Sequence, residues 1–101
     1  MSEQTIPTIH WLVKQRETIL NLAEQHNASH VRVFGSVARG DAHKMSDVDL
    51  LVKMNDGATI FDLVGLWDDL RQLLGREVNV ISEDSLEERF KQRITPDLVE
   101  L

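Results

Sequence analysis

The sequence predicts an α/β fold, a short mixed three-stranded sheet flanked by helices. Three observations carry that prediction. Two long segments repeat apolar residues at the helical period, three short runs rich in Val, Ile and Leu read as strands, and the two kinds alternate along the chain. At 101 residues a single domain spanning 1–101 is expected. Apolar residues at 42% and charged residues at 28% describe an ordinary globular protein. No apolar stretch is long enough to span a membrane, and no signal-peptide hydrophobic region opens the chain. The absence of cysteine excludes disulfides and thiolate zinc sites. A cytoplasmic protein is expected. The formal charge of −6 offers no basic footprint for nucleic acid, and the run Arg89–Arg93 is offset by Glu83, Asp84, Glu87 and Glu88. An acidic chain suits a basic protein partner instead.

Taken in order, Met1 to Pro7 reads as a tail. Thr8 to Asn27 reads as one helix, with Ile9, Leu12, Val13, Arg16, Ile19, Leu20 and Ala23 on a single stripe and Asn27 as its stop. His30 to Phe34 is a β-branched run ending at Gly35. Ser36 to Arg39 makes one helical turn, closed by Gly40 and a polar loop through Ser46. Asp47 to Lys53 is the second strand, and Asn55-Asp56-Gly57 supplies a turn. Thr59 to Leu74 is a helix presenting Ile60, Leu63, Val64, Trp67, Leu70 and Leu74 on one face, with Gly75 past its end. Glu77 to Ile81 is the third strand. Asp84 and Glu87 form a capping-box pattern for a last helix through about Arg93, ended by Thr95-Pro96.

Chemistry concentrates between Val31 and Val52. Side chains alternate along a strand, so Asp47, Asp49 and Leu51 share one face while Val48, Leu50 and Val52 take the other. The two carboxylates then stand about 7 Å apart, close enough to share a cation. Magnesium is the expected ion, because it accepts carboxylate and phosphate oxygens together. A solvated strand face is the alternative, but acidic residues are disfavoured in strands and here interrupt an apolar run. Gly35 at a strand end permits a sharp turn and close approach of a phosphate, with Ser36 adding a hydroxyl. Arg39 lies within reach of phosphate or of Asp41, and pairing with Asp41 is the favoured role. A P-loop is excluded, since Asp41-Ala42 stands where Lys-Ser/Thr is required; neither a G-x-G-x-x-G fingerprint nor a nucleophile elbow occurs. His10, His26, His30 and His43 lack ligand spacing. Trp11 and Trp67 suit a core or a protein interface, and acidic helix edges suit solvent.

The string Gly35-Ser36-x-x-Arg39-Gly40 … Ser46-Asp47-x-Asp49 resembles the signature of the DNA polymerase beta-like nucleotidyltransferase superfamily. At this length the chain is similar to the minimal nucleotidyltransferase (MNT) family. The resemblance implies a small nucleotidyltransferase fold with Asp47 and Asp49 as catalytic metal ligands. It assigns Gly35, Ser36, Arg39 and Ser46 to the nucleotide, with Mg2+ as cofactor and ATP as substrate. It further implies an antitoxin in a hetero-oligomer with a HEPN ribonuclease toxin, neutralised by binding and by AMP transfer to a toxin tyrosine. This chain contains no tyrosine, so such an acceptor is external. The family places a third carboxylate on the next strand, where this chain has Asn79, with the matching parity but neither charge nor basicity. Glu77 shares that parity at the strand start. Neutralisation by binding alone is the alternative. An adenylyltransferase of small molecules would carry an additional substrate domain.

Overall fold

A computed structural model of the protein describes residues 5–101. Its helices are α1 (Ile9–Val13), α2 (Arg16–Gln25), α3 (Gly35–Arg39), α4 (Ile60–Leu74) and α5 (Glu88–Ile94). Its strands are β1 (Ala28–Phe34), β2 (Val48–Met54), β3 (Val78–Ser82) and β4 (Val99–Glu100). The sheet order is β3-β2-β1-β4, with β2 and β3 parallel and the other pairs antiparallel. The sheet is mixed, but among the described residues it has four strands rather than three. The two-residue β4 pairs with Arg32 and Val33 and is too short to show any alternation in sequence.

Both faces of the sheet are covered, and β2 shows how. Val48, Leu50 and Val52 are fully buried in the main core with Leu12, Ile19, Leu66 and Leu70 from α1, α2 and α4. Leu51, pointing the other way, joins Phe34 and Ile94 in a second cluster beneath α5. Asp49 shares the parity of Leu51 but stays partly exposed. The strand's apolar run therefore buries two faces and leaves one acidic gap.

Several expectations are corrected. The segment Thr8–Asn27 forms two helices, because Gln15 leaves helical geometry at φ −110 and ψ 11. Val13 is consequently 48% exposed. Arg16 is exposed too, and its guanidinium donates to the Leu101 carbonyl. Asn27 adopts φ 58, the left-handed conformation that ends a helix. The expected tail, Met1 to Pro7, falls partly outside the described residues, and its last member, Pro7, is buried. Along α4 the buried residues are Leu66, Leu70 and Leu74, while Ile60 is 64% and Val64 52% exposed. This helix is apolar on two sides, and periodicity alone cannot say which side faces the core. The Asp84/Glu87 capping box does not form; α5 begins after Glu87 without a side-chain cap. A capping box forms instead at α4, where the Thr59 N–H donates to the Asp62 carboxylate at 2.9 Å.

Candidate active site

β1, β2 and β3 carry Phe34, Asp49 and Asn79 in register, so Asp49 sits mid-sheet with Asn79 beside it. The Asn79 amide donates to Asp49 Oδ1 at 2.8 Å. On the other flank the chain leaves β1 into α3 through Gly35, whose φ of +75 suits glycine. A Cβ at that position would lie 2.2 Å from Asp49 Oδ2. The backbone bend and the carboxylate thus share one small space, and only a residue without a side chain fits between them.

Burial is the main reason the Asp49 carboxyl titrates above its ordinary range. The hydrogen bond from Asn79 opposes that rise, the negative charge of Asp47 adds to it, and the positive charge of Arg39 opposes it again. Asp47 itself lies just before β2, is exposed, and lines a cavity of about 350 Å3 with Ser46, Arg71, Arg76 and Glu77. Asp49 lines a different cavity, with Asn79, so the two carboxylates feel each other through charge rather than through a shared pocket lining. Both are hard oxygen donors of the kind a divalent cation takes. Among the described residues no group of three or more His, Cys, Asp or Glu converges. Two carboxylates leave the other positions of a magnesium ion to phosphate oxygens and water, so the donor set fits that ion bound with a nucleotide.

The remaining candidates are distributed as follows. Ser36 follows Gly35 on α3, and its carbonyl accepts from the N–H groups of Gly40 and Asp41, closing the turn. Arg39 pairs with Asp41 at 3.3 Å and with Asp97 at 3.5 Å, the structural role favoured from sequence. The Ser46 hydroxyl accepts from the His43 N–H at 2.8 Å and so braces its own loop. Glu77 pairs with Arg71 at 3.6 Å, on the side of Asp47 rather than of Asp49.

Two features were missed in the sequence. Arg76 donates to the carbonyls of Lys44 and Ser46, each at 3.1 Å, and to that of Thr5, while stacking on Trp11. It anchors the loop that delivers Asp47, through contacts too scattered along the chain to leave a pattern. The second is an apolar groove beside Asp49 and Asn79, walled by Val64 and Trp67 of α4 and Phe90 of α5. Val64 and Trp67 lie on the single apolar stripe that the sequence gives this helix, with Trp67 read as suiting a core or a protein interface.

With this geometry in place, comparison with known proteins gives a consistent result. Residues 15–100 match the family model described as a nucleotidyltransferase domain. A Methanocaldococcus jannaschii protein named "putative protein adenylyltransferase" is 33% identical over 86 residues, covering 85% of this chain and 92% of the relative. A solved structure of a "putative minimal nucleotidyltransferase" superposes with a TM-score of 0.83 at 40% identity, covering 93% of this chain and 96% of the other. The MNT antitoxin complex with a tri-AMPylated HEPN toxin of Shewanella oneidensis superposes with a TM-score of 0.66 at 17% identity, covering 87% of this chain and 69% of the matched one, a likeness of fold. The chain belongs to the nucleotidyltransferase domain family. It is a nucleotidyltransferase with the minimal form of that fold.

Proposed function

We propose that this protein is the antitoxin of a HEPN/MNT pair that transfers AMP from ATP to a tyrosine of its toxin. The observation that carries this reading is the convergence of Asp49 Oδ2 on the glycine bend at Gly35. The bend leaves room for a phosphate where a side chain would block it, directly beside a carboxylate that wants a cation. Gly35 and Ser36 hold the triphosphate, and Asp47 and Asp49 hold the magnesium ion that accompanies it. That ion, when bound, neutralises charge developing on the phosphate oxygens. The acceptor oxygen attacks the α-phosphorus, the α–β anhydride bond breaks, and pyrophosphate departs with the electron pair. Arg39, held by Asp41 and Asp97, contributes long-range positive charge rather than a direct phosphate contact. Ser46 acts through its loop.

A second reading is favoured by one specific observation. Asn79 occupies the place of a carboxylate and spends its amide on Asp49. It cannot accept a proton, so a chain that neutralises its toxin by binding alone would look the same at this position. Toxin neutralisation by the Asp47→Ala/Asp49→Ala double variant separates the two. Transfer predicts loss of neutralisation with the complex still formed; full neutralisation assigns the effect to binding.

A further inference from the structure

We propose that the groove between α4, β3 and α5 is the acceptor site, taking a phenolic side chain so that its hydroxyl meets Asp49 from the side opposite Gly35. This rests on the transferase reading above. The groove encloses about 600 Å3, with Asp49 and Asn79 at its polar end and Phe34, Val64, Trp67 and Phe90 among its walls. Its walls are fixed. The Trp67 indole N–H donates to the Val78 carbonyl at 2.9 Å, and Phe90 meets Phe34 edge-on at 6.1 Å. It is also reachable from outside, because β3 is an edge strand and Val64 is half exposed.

Direction follows from the sheet. Gly35 continues β1 on one flank of Asp49, and Asn79 lies on β3 at the other. Displacement at phosphorus places the attacking and leaving oxygens roughly in line, on opposite sides of the phosphorus. A triphosphate seated at Gly35-Ser36 sends pyrophosphate out on that flank, so the attacking oxygen enters on the Asn79 flank, where the groove opens.

Two properties select a phenol over an aliphatic hydroxyl. The cavity joins aromatic walls to a polar end, which suits a side chain with an apolar body and a hydroxyl tip; serine or threonine would leave the walls uncovered. No base stands at Asn79, and a phenol, ionising near pH 10, loses its proton far more readily than an alkyl hydroxyl. With its amide committed to Asp49, Asn79 has its carbonyl oxygen left to accept the phenolic O–H and aim it. In the step itself the phenol oxygen bonds to the α-phosphorus, its proton passes to water at the groove mouth, and pyrophosphate leaves. The carboxylate at the polar end and the chain's charge of −6 favour a basic segment around the tyrosine.

The test uses the chain's two tryptophans, whose indole N–H signals report separately in a 15N-labelled sample. With Mg2+ and α,β-methylene-ATP present, whose α–β bridge cannot be cleaved, N-acetyl-tyrosinamide is expected to shift the Trp67 signal saturably and leave Trp11 unmoved, while N-acetyl-serinamide shifts neither. Val64→Arg, at an exposed position, is expected to raise the half-saturating concentration at least tenfold with Tm unchanged, and Phe90→Ala gives a second reading of the same wall. The proposal is overturned if Trp67 responds to Mg2+ and α,β-methylene-ATP but not to the tyrosine probe, which would place the nucleobase in the groove. It is equally overturned if Trp67 responds to neither or if both variants bind the probe normally. If the probe binds as expected but gains no AMP from ATP, the groove stands and the transfer reading falls.

Discussion

Replacing Gly35 by alanine separates backbone strain from disruption of the site. At φ +75 an L side chain costs about 1–2 kcal/mol. The new Cβ would also stand 2.2 Å from Asp49 Oδ2 and 3.1 Å from its Cγ, so the carboxylate must swing by about 1 Å to reach van der Waals contact. That swing gives up the hydrogen bond from Asn79, worth about 1 kcal/mol at a partly exposed position. A total of about 2–3 kcal/mol lowers Tm by roughly 10–20 °C in a chain of this size. Gly40→Ala is the control. Its φ of +82 imposes the same strain, but among the described residues nothing lies within 4 Å of the added atom, so it should lose about half as much. Calorimetric titration with Mg2+ and AMP-PNP then separates the two. On the proposed function, Gly35→Ala should bind about 10–100-fold more weakly, the loss typical of disturbing the groups that orient a metal's ligands, and Gly40→Ala should bind as the parent does. Equal binding by the two variants would refute the idea that the Gly35–Asp49 contact builds the nucleotide site.

Other outcomes follow from the same structure. Asp49 has a carboxyl titrating above its ordinary range, so its contribution to stability is full at low pH and lost as pH rises through its folded value. Asp49→Asn should therefore raise the metal-free Tm at pH 7 by less than about 5 °C, with the gain vanishing in acid and nucleotide transfer abolished. Glu83 shows the opposite sign. The hydrogen bond from the Arg32 guanidinium, at 2.5 Å, holds its carboxyl below the ordinary value, so the stabilisation is present above about pH 4.5 and lost as pH falls through the folded value. Glu83→Gln should cost about 1 kcal/mol at pH 7 in urea titration and little near pH 3. Thr59→Ala removes the capping box of α4 and should cost about 1 kcal/mol in the same assay.

The sequence resolved the motif region better than the edges of the fold. Strand alternation alone put Asp49 and Asn79 on matching faces, because a two-residue period leaves no freedom once Val48, Leu50, Val78 and Val80 point to the core. Gly35 was readable because a positive φ at a strand end selects glycine. Asp47 was harder, since it precedes the first residue of β2 and its position depends on a loop held by Arg76 through the carbonyls of Lys44 and Ser46. Those contacts join residues far apart in sequence and carry no periodic signal. β4 was invisible for a different reason: two residues beside Arg32 and Val33 are strand only by virtue of their neighbour. The groove was missed because α4 carries apolar residues on two sides, and only the packed structure shows that Leu66, Leu70 and Leu74 face inward while Val64 does not.

The most direct test is the intact mass of the proposed HEPN partner after incubation with this protein, ATP and Mg2+. A gain of one or more AMP units, localised to a tyrosine and absent with Asp47→Ala/Asp49→Ala, is the predicted result. A partner that is neutralised yet keeps its original mass would contradict AMP transfer and leave this chain a nucleotidyltransferase fold that acts by contact alone.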